Sequence, residues 1–63
     1  LLVEASENGL RAGRAANMTV FGFTGAGSAD PRRHGERLNA AGAQLVFDRM
    51  SELAPLMRAR AAA

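Results

Sequence analysis

The sequence predicts an α/β fold built on a parallel sheet, and three features predict it. Three short apolar runs, Leu1–Val3, Met18–Phe23 and Leu45–Phe47, have the length of strands. Each is followed by a stretch with helix-start signals. The resulting order is β-α-β-α-β-α, and strands that alternate with helices pair in parallel through right-handed crossovers. In such a sheet the C-terminal ends of all strands share one edge. The residues just past the strands, Glu4, Thr24-Gly25 and Asp48, should therefore gather there. Open α/β sheets bind their ligands along that edge.

Each element has a local reason. Leu1–Val3 reads as the end of a buried strand. Ser6 is placed to cap the next helix by accepting from a free backbone N–H. Glu7 then falls in the first turn, where the helix dipole favours negative charge. This helix should run to about Ala16. Gly9, Ala12, Gly13 and Ala16 recur at helical spacing and predict a smooth face against the sheet. Glycine inside a helix costs about 1 kcal/mol against alanine, so Gly13 calls for a packing reason. Asn17 stands where the helix should stop and tolerates the left-handed conformation of a C-terminal cap.

Met18–Phe23 is β-branched and aromatic, as strands are. The glycine-rich stretch Thr24–Ala29 is a loop. It lacks the Gly-Lys-Ser/Thr ending of a P-loop and the spacing of a dinucleotide fingerprint, so it reads as a flexible loop at the active edge. Asp30-Pro31 is a helix start, with proline at the first helical position. That helix should reach Ala41, with Gly42 as terminator. Leu45–Phe47 is the third strand, and Asp48 follows in a loop or capping role. Ser51 should begin the last helix, with Pro55 in its first turn and Leu53, Leu56 and Met57 as a core-facing stripe. Residues 59–63 should fray.

Composition narrows the function classes. The chain has 63 residues, which allows one small domain, and no cysteine, which removes disulfides and thiolate metal sites. No apolar stretch approaches the roughly 20 residues of a membrane span. A soluble, cytoplasmic setting is the expectation, with no membrane partner. Net charge is +2, and all eight basic residues are arginine. They are scattered and interleaved with acids, and the three phenylalanines sit in strand-like runs. That is a mixed-charge solvated surface, so a nucleic-acid partner is not expected. His34 stands among Arg32, Arg33 and Glu36 and reads as a surface residue. The chain opens inside an apolar run and leaves an open strand edge able to self-associate. Both features suggest the tail piece of a larger enzyme.

The residues also carry a resemblance. Val3-Glu4-Ala5-Ser6-Glu7-Asn8-Gly9, continuing through Arg11-Ala12-Gly13 to Met18-Thr19-Val20, resembles the fourth motif of haloacid dehalogenase superfamily hydrolases, in particular the β-phosphoglucomutase-like phosphatases. That motif is a strand, Glu-Asp-Ser-x-x-Gly, and a small-residue helix ending in Ala-Ala-Gly-Met. Gly22-Phe23-Thr24-Gly25 is similar to the same subgroup, as is the block from Ala41-Gly42-Ala43 through Val46-Phe47-Asp48 to Glu52-Leu53. The resemblance implies the C-terminal half of a Rossmann-like, parallel, three-layer core, with the catalytic half and a cap domain outside residues 1–63.

It further implies a phosphomonoesterase or phosphosugar phosphatase/mutase-like activity on a small phosphorylated metabolite. Such enzymes work through an aspartyl-phosphate and Mg2+, where positioning and electrostatics dominate the catalysis. Glu4 matches the family's glutamate near the metal. Ala5 stands where the family has its metal-binding aspartate, and a methyl group cannot ligate Mg2+. Ser6, Asn8, Thr24 and Gly25 fall on the substrate and phosphate edge. The nucleophilic aspartate and the family's lysine have no counterpart in this segment, so no catalytic residue is assigned and the chain alone should be inactive. A non-catalytic remnant, or pseudoenzyme interaction module, is the alternative that Ala5 suggests.

Overall fold

The computed structural model describes residues 1–62, with side chains described for residues 1–61. Three strands, β1 (Leu2–Glu4), β2 (Val20–Phe23) and β3 (Leu45–Phe47), form one sheet in the order β1-β2-β3. Both pairings are parallel, with Glu4 opposite Gly22 and Phe23 opposite Phe47. The helices are α1 (Glu7–Ala15), α2 (Pro31–Ala40) and α3 (Leu53–Ala62), the last preceded by a 3-10 turn at Met50–Glu52. The fold is the α/β half-core that the alternating pattern predicts.

Alternation along the strands assigns the two faces. Leu2, Val20, Gly22 and Val46 share one face, and α1 and α2 pack on it. Leu10, Val20 and Leu38 are fully buried at its centre, with Leu2, Ala41, Ala43 and Val46 around them. Each fully buried side chain of this kind contributes about 1.5–3 kcal/mol. Gly13 explains its own presence. A Cβ there would lie 2.8 Å from the side chains of both Leu2 and Val20, so only glycine lets α1 sit this close to the sheet.

The opposite face carries Phe21, Phe23, Leu45 and Phe47. Phe21 and Phe47 meet edge-on at 6.4 Å between ring centroids, and Phe23 lies 5.1 Å from Phe47. These are ordinary separations for aromatic pairs. Phe21 is fully buried. α3 reaches this side near the strand starts. There Leu56 and Ala59 share a cleft with Leu45, and Arg60 donates to the Thr19 hydroxyl at 3.3 Å.

The caps follow the sequence. Ser6 caps α1 and Asp30 caps α2 through the Arg33 N–H, with Pro31 opening the helix. Asn17 (φ 63°) and Gly42 (φ 108°) take the left-handed conformations at the two helix ends. Six expectations of the fold need correction. The first strand is half-buried and shifted by one residue, so Leu1 lies outside it, 52% exposed, and Glu4 ends it instead of following it. The α1 face is narrower than its small residues suggest, because Ala12 and Ala16 are exposed and only Gly9 and Gly13 turn inward. Met18 and Thr19 precede β2 instead of joining it. Ser51 lies in the 3-10 turn, so α3 begins at Leu53. Leu53, Leu56 and Met57 are not a core stripe: the leucines are half-buried and Met57 is 45% exposed. Residues 59–62 are helical where fraying is expected, and Ala63 lies outside the described residues.

Candidate functional site

The strand ends meet the helix starts along one edge, and the connection after β1 is the shortest. Glu4 is the last residue of β1 and Glu7 the first of α1, so two residues, Ala5 and Ser6, make the turn. Ser6 works in both directions. Its Oγ accepts from the Gly9 N–H at 3.0 Å and donates to Glu4 Oε2 at 3.2 Å. The Ser6 backbone N–H reaches the same oxygen at 3.4 Å. Both bonds land on Oε2. Gly9 completes the arrangement. A Cβ at that position would collide with the Glu4 carboxylate, so glycine is the residue that lets the carboxylate lie over the first turn of α1. Negative charge is favoured at that helix end.

The expected site residues fall into two groups. Glu4 and Ser6 are bonded to each other. Asn8 is exposed on the first turn of α1. Thr24 and Gly25 belong with the β3 end of the edge. Thr24 is 7% exposed, and both its N–H (3.0 Å) and its hydroxyl (3.4 Å) donate to the Phe47 carbonyl. Gly25 lies so close to the Asp48 carbonyl oxygen and the Phe23 ring that a Cβ has no room. A shallow cleft beside them is lined by Thr24, Pro31, Arg32, Phe47 and Asp48. Asp48 is exposed and does not cap the following turn, whose N-cap is Arg49 without a side-chain bond. The loop tip beyond Gly25 is open. Gly27 (φ 95°) has nothing within 4 Å of a Cβ position.

His34 is not the surface residue its polar neighbours suggest. It is half-buried in the first turn of α2, and its Nε2 lies 2.5 Å from the Ala5 carbonyl oxygen. A carbonyl only accepts, so Nε2 carries the hydrogen. Nδ1 is buried without a partner among the described residues. No pattern in the sequence links positions 5 and 34. The contact exists because the sheet brings the β1 and β2 loops side by side.

The charged surface is mixed, as the sequence suggests. All eight arginines are exposed. Glu7 pairs with Arg11 at 3.6 Å and Arg37 at 3.5 Å, and Arg32 with Glu36 at 3.5 Å. Exposed pairs like these are worth about 0–1 kcal/mol.

Mg2+ asks for near-octahedral oxygen ligation. Position 5 offers a methyl group, and its carbonyl already accepts from His34. Among the described residues no three acidic or histidine side chains are placed to hold a metal ion. The described residues therefore do not fit a self-contained magnesium site. No described helix is long and apolar enough to cross a membrane.

No protein-family profile matches the chain, and no curated protein matches it. Among solved structures, it is similar to the crystal structure of a conserved haloacid dehalogenase-like protein of unknown function from Agrobacterium tumefaciens. Identity is 46% and the TM-score 0.87, over 94% of this chain and 26% of that one. The chain thus spans about a quarter of the length of the protein it matches. The likeness to that haloacid dehalogenase-like protein holds in both sequence and fold over nearly all of this segment.

Proposed function

We propose that this chain is the fourth-motif segment of a Mg2+-dependent phosphohydrolase that acts on a small phosphorylated metabolite in the cytoplasm. The reading extends to the β-phosphoglucomutase-like subgroup and to a place in the C-terminal part of the core. One observation carries it. The Glu4 carboxylate stands at the C-terminal end of a parallel strand, held by Ser6 and given room by Gly9. The likeness to a haloacid dehalogenase-like protein supports it.

Magnesium belongs to this reading as the cofactor of the whole enzyme, held mainly by groups outside residues 1–63. Within the segment, Ser6 fixes the rotamer of Glu4, and Gly9 keeps the space above the helix start free for the carboxylate. Thr24 and Gly25 hold the β2 loop against β3 and so shape the wall of the edge. None of these residues is a nucleophile, and the isolated chain is inactive in this account.

The test is hydrolysis of p-nitrophenyl phosphate by the natural protein, with and without Mg2+, before and after Ala5→Asp. The expected result is magnesium-dependent turnover that rises at least about tenfold in the variant, in line with a restored charged contact of 1.5–3 kcal/mol. Ala5 also favours a second reading, a non-catalytic interaction module. Absence of turnover in both proteins would support it.

A further inference from the structure

We propose that His34 is a positioning residue for the loop that carries Glu4. Its Nε2–H, donated to the Ala5 carbonyl, ties the start of α2 to the turn between β1 and α1. The anchor is firm at its root. Asp30 accepts from the Arg33 N–H through its side chain and from the His34 N–H through its carbonyl, at 3.1 and 2.9 Å. Four residues on, Leu38 is fully buried against the sheet.

The other end needs such a tie. Ser6 is bonded by Glu4 and Gly9, its own neighbours in sequence, so those bonds tie the turn to β1 and α1 and not to α2. Ala5 brings no side-chain polar group. The imidazole supplies a bond to that turn from 29 residues away. Its other nitrogen gains nothing in return, since Nδ1 is buried and unpartnered among the described residues. A flipped ring would set carbon against the Ala5 carbonyl, so the Nε2 bond is what selects this orientation. Any effect on turnover rests on the phosphohydrolase reading, whereas the bond itself does not.

The experiment uses the natural protein with 15N-labelled histidine, alongside His34→Phe and His34→Gln. The imidazole spectrum should show the hydrogen on Nε2, the nitrogen that faces the Ala5 carbonyl. Phenylalanine fills the space without donating. It should raise exchange of the two bonded amides of the turn, Ser6 and Gly9, about three- to tenfold, the loss of one hydrogen bond, and leave the Leu38 and Gly13 amides unchanged. Glutamine can present its own N–H to the carbonyl and should restore protection. p-Nitrophenyl phosphate turnover should follow the same order. A ring with no hydrogen on Nε2 would overturn the proposal, as would equal exchange in the two variants or loosening spread evenly over α1 and α2. An unsubstituted protein without turnover would count against the phosphohydrolase reading alone, because the tautomer and exchange results still decide the role of His34.

Discussion

The loops after β1 and β2 leave the same edge of the same sheet, yet they are built differently. The first is two residues long and is held by side-chain bonds along its length: Glu4 with Ser6, Ser6 with Gly9, Ala5 with His34. The second is held only at its root, where Thr24 bonds Phe47 and Gly25 lies under Asp48. Its tip, from Ala26 to Gly27, stands in solvent. On the proposed phosphohydrolase reading, the difference separates two tasks. A carboxylate that must meet a charged group benefits from fixed geometry, because reorganisation at the moment of reaction is costly. A loop that borders a ligand gains from freedom at its tip and needs rigidity only where it joins the sheet.

Substitutions can break that contrast, and the largest effect belongs to the root of the second loop. Gly25→Ala places a methyl against a backbone carbonyl that cannot step aside cheaply. A loss of about 1–3 kcal/mol is expected, the usual cost of overpacking, read as a fall in the denaturation midpoint. Next comes Ser6→Ala. It removes a helix cap worth about 1 kcal/mol and frees Glu4 as well, so it should cost more than Asp30→Ala, where the cap has no second partner. Chemical denaturation of the two variants side by side checks the order.

Gly9→Ala should cost less than about 1 kcal/mol, since the obstacle is the far end of a flexible side chain. Its main effect is to move Glu4. In a double-mutant cycle with Glu4→Ala, the cost of Gly9→Ala should vanish, because contacting residues couple and the obstacle is gone. The smallest effect is expected at the open tip. Gly27→Asn meets no neighbour and suits a positive φ, so stability should change by less than about 0.5 kcal/mol. A loss there as large as that of Gly25→Ala would remove the distinction between root and tip.

Much of this was legible in the sequence where the governing physics is local. Ser6, Asp30-Pro31, Asn17 and Gly42 mark helix ends by rules that need only their neighbours, and the structure puts each in that role. The apolar run Leu45–Phe47 matches β3 residue for residue. Gly9 was visible as a small residue on α1, but its reason is the Glu4 carboxylate, which lies five positions back in another element. The bond between His34 and Ala5 depends on sheet order, and no spacing in one sequence encodes it. Leu53, Leu56 and Met57 have core spacing, yet the surface they face is only partly covered in the described segment. Periodicity reports which face is apolar, not what covers it.

On the proposed reading this edge presents one fixed carboxylate and stops short of a metal site. Titration of the 63-residue chain with Mg2+ by calorimetry tests it most directly, with Glu4→Gln as the control. The account predicts no stoichiometric binding by either chain. Tight one-to-one binding that disappears in Glu4→Gln would contradict it, because the segment would then assemble a magnesium site from its own residues.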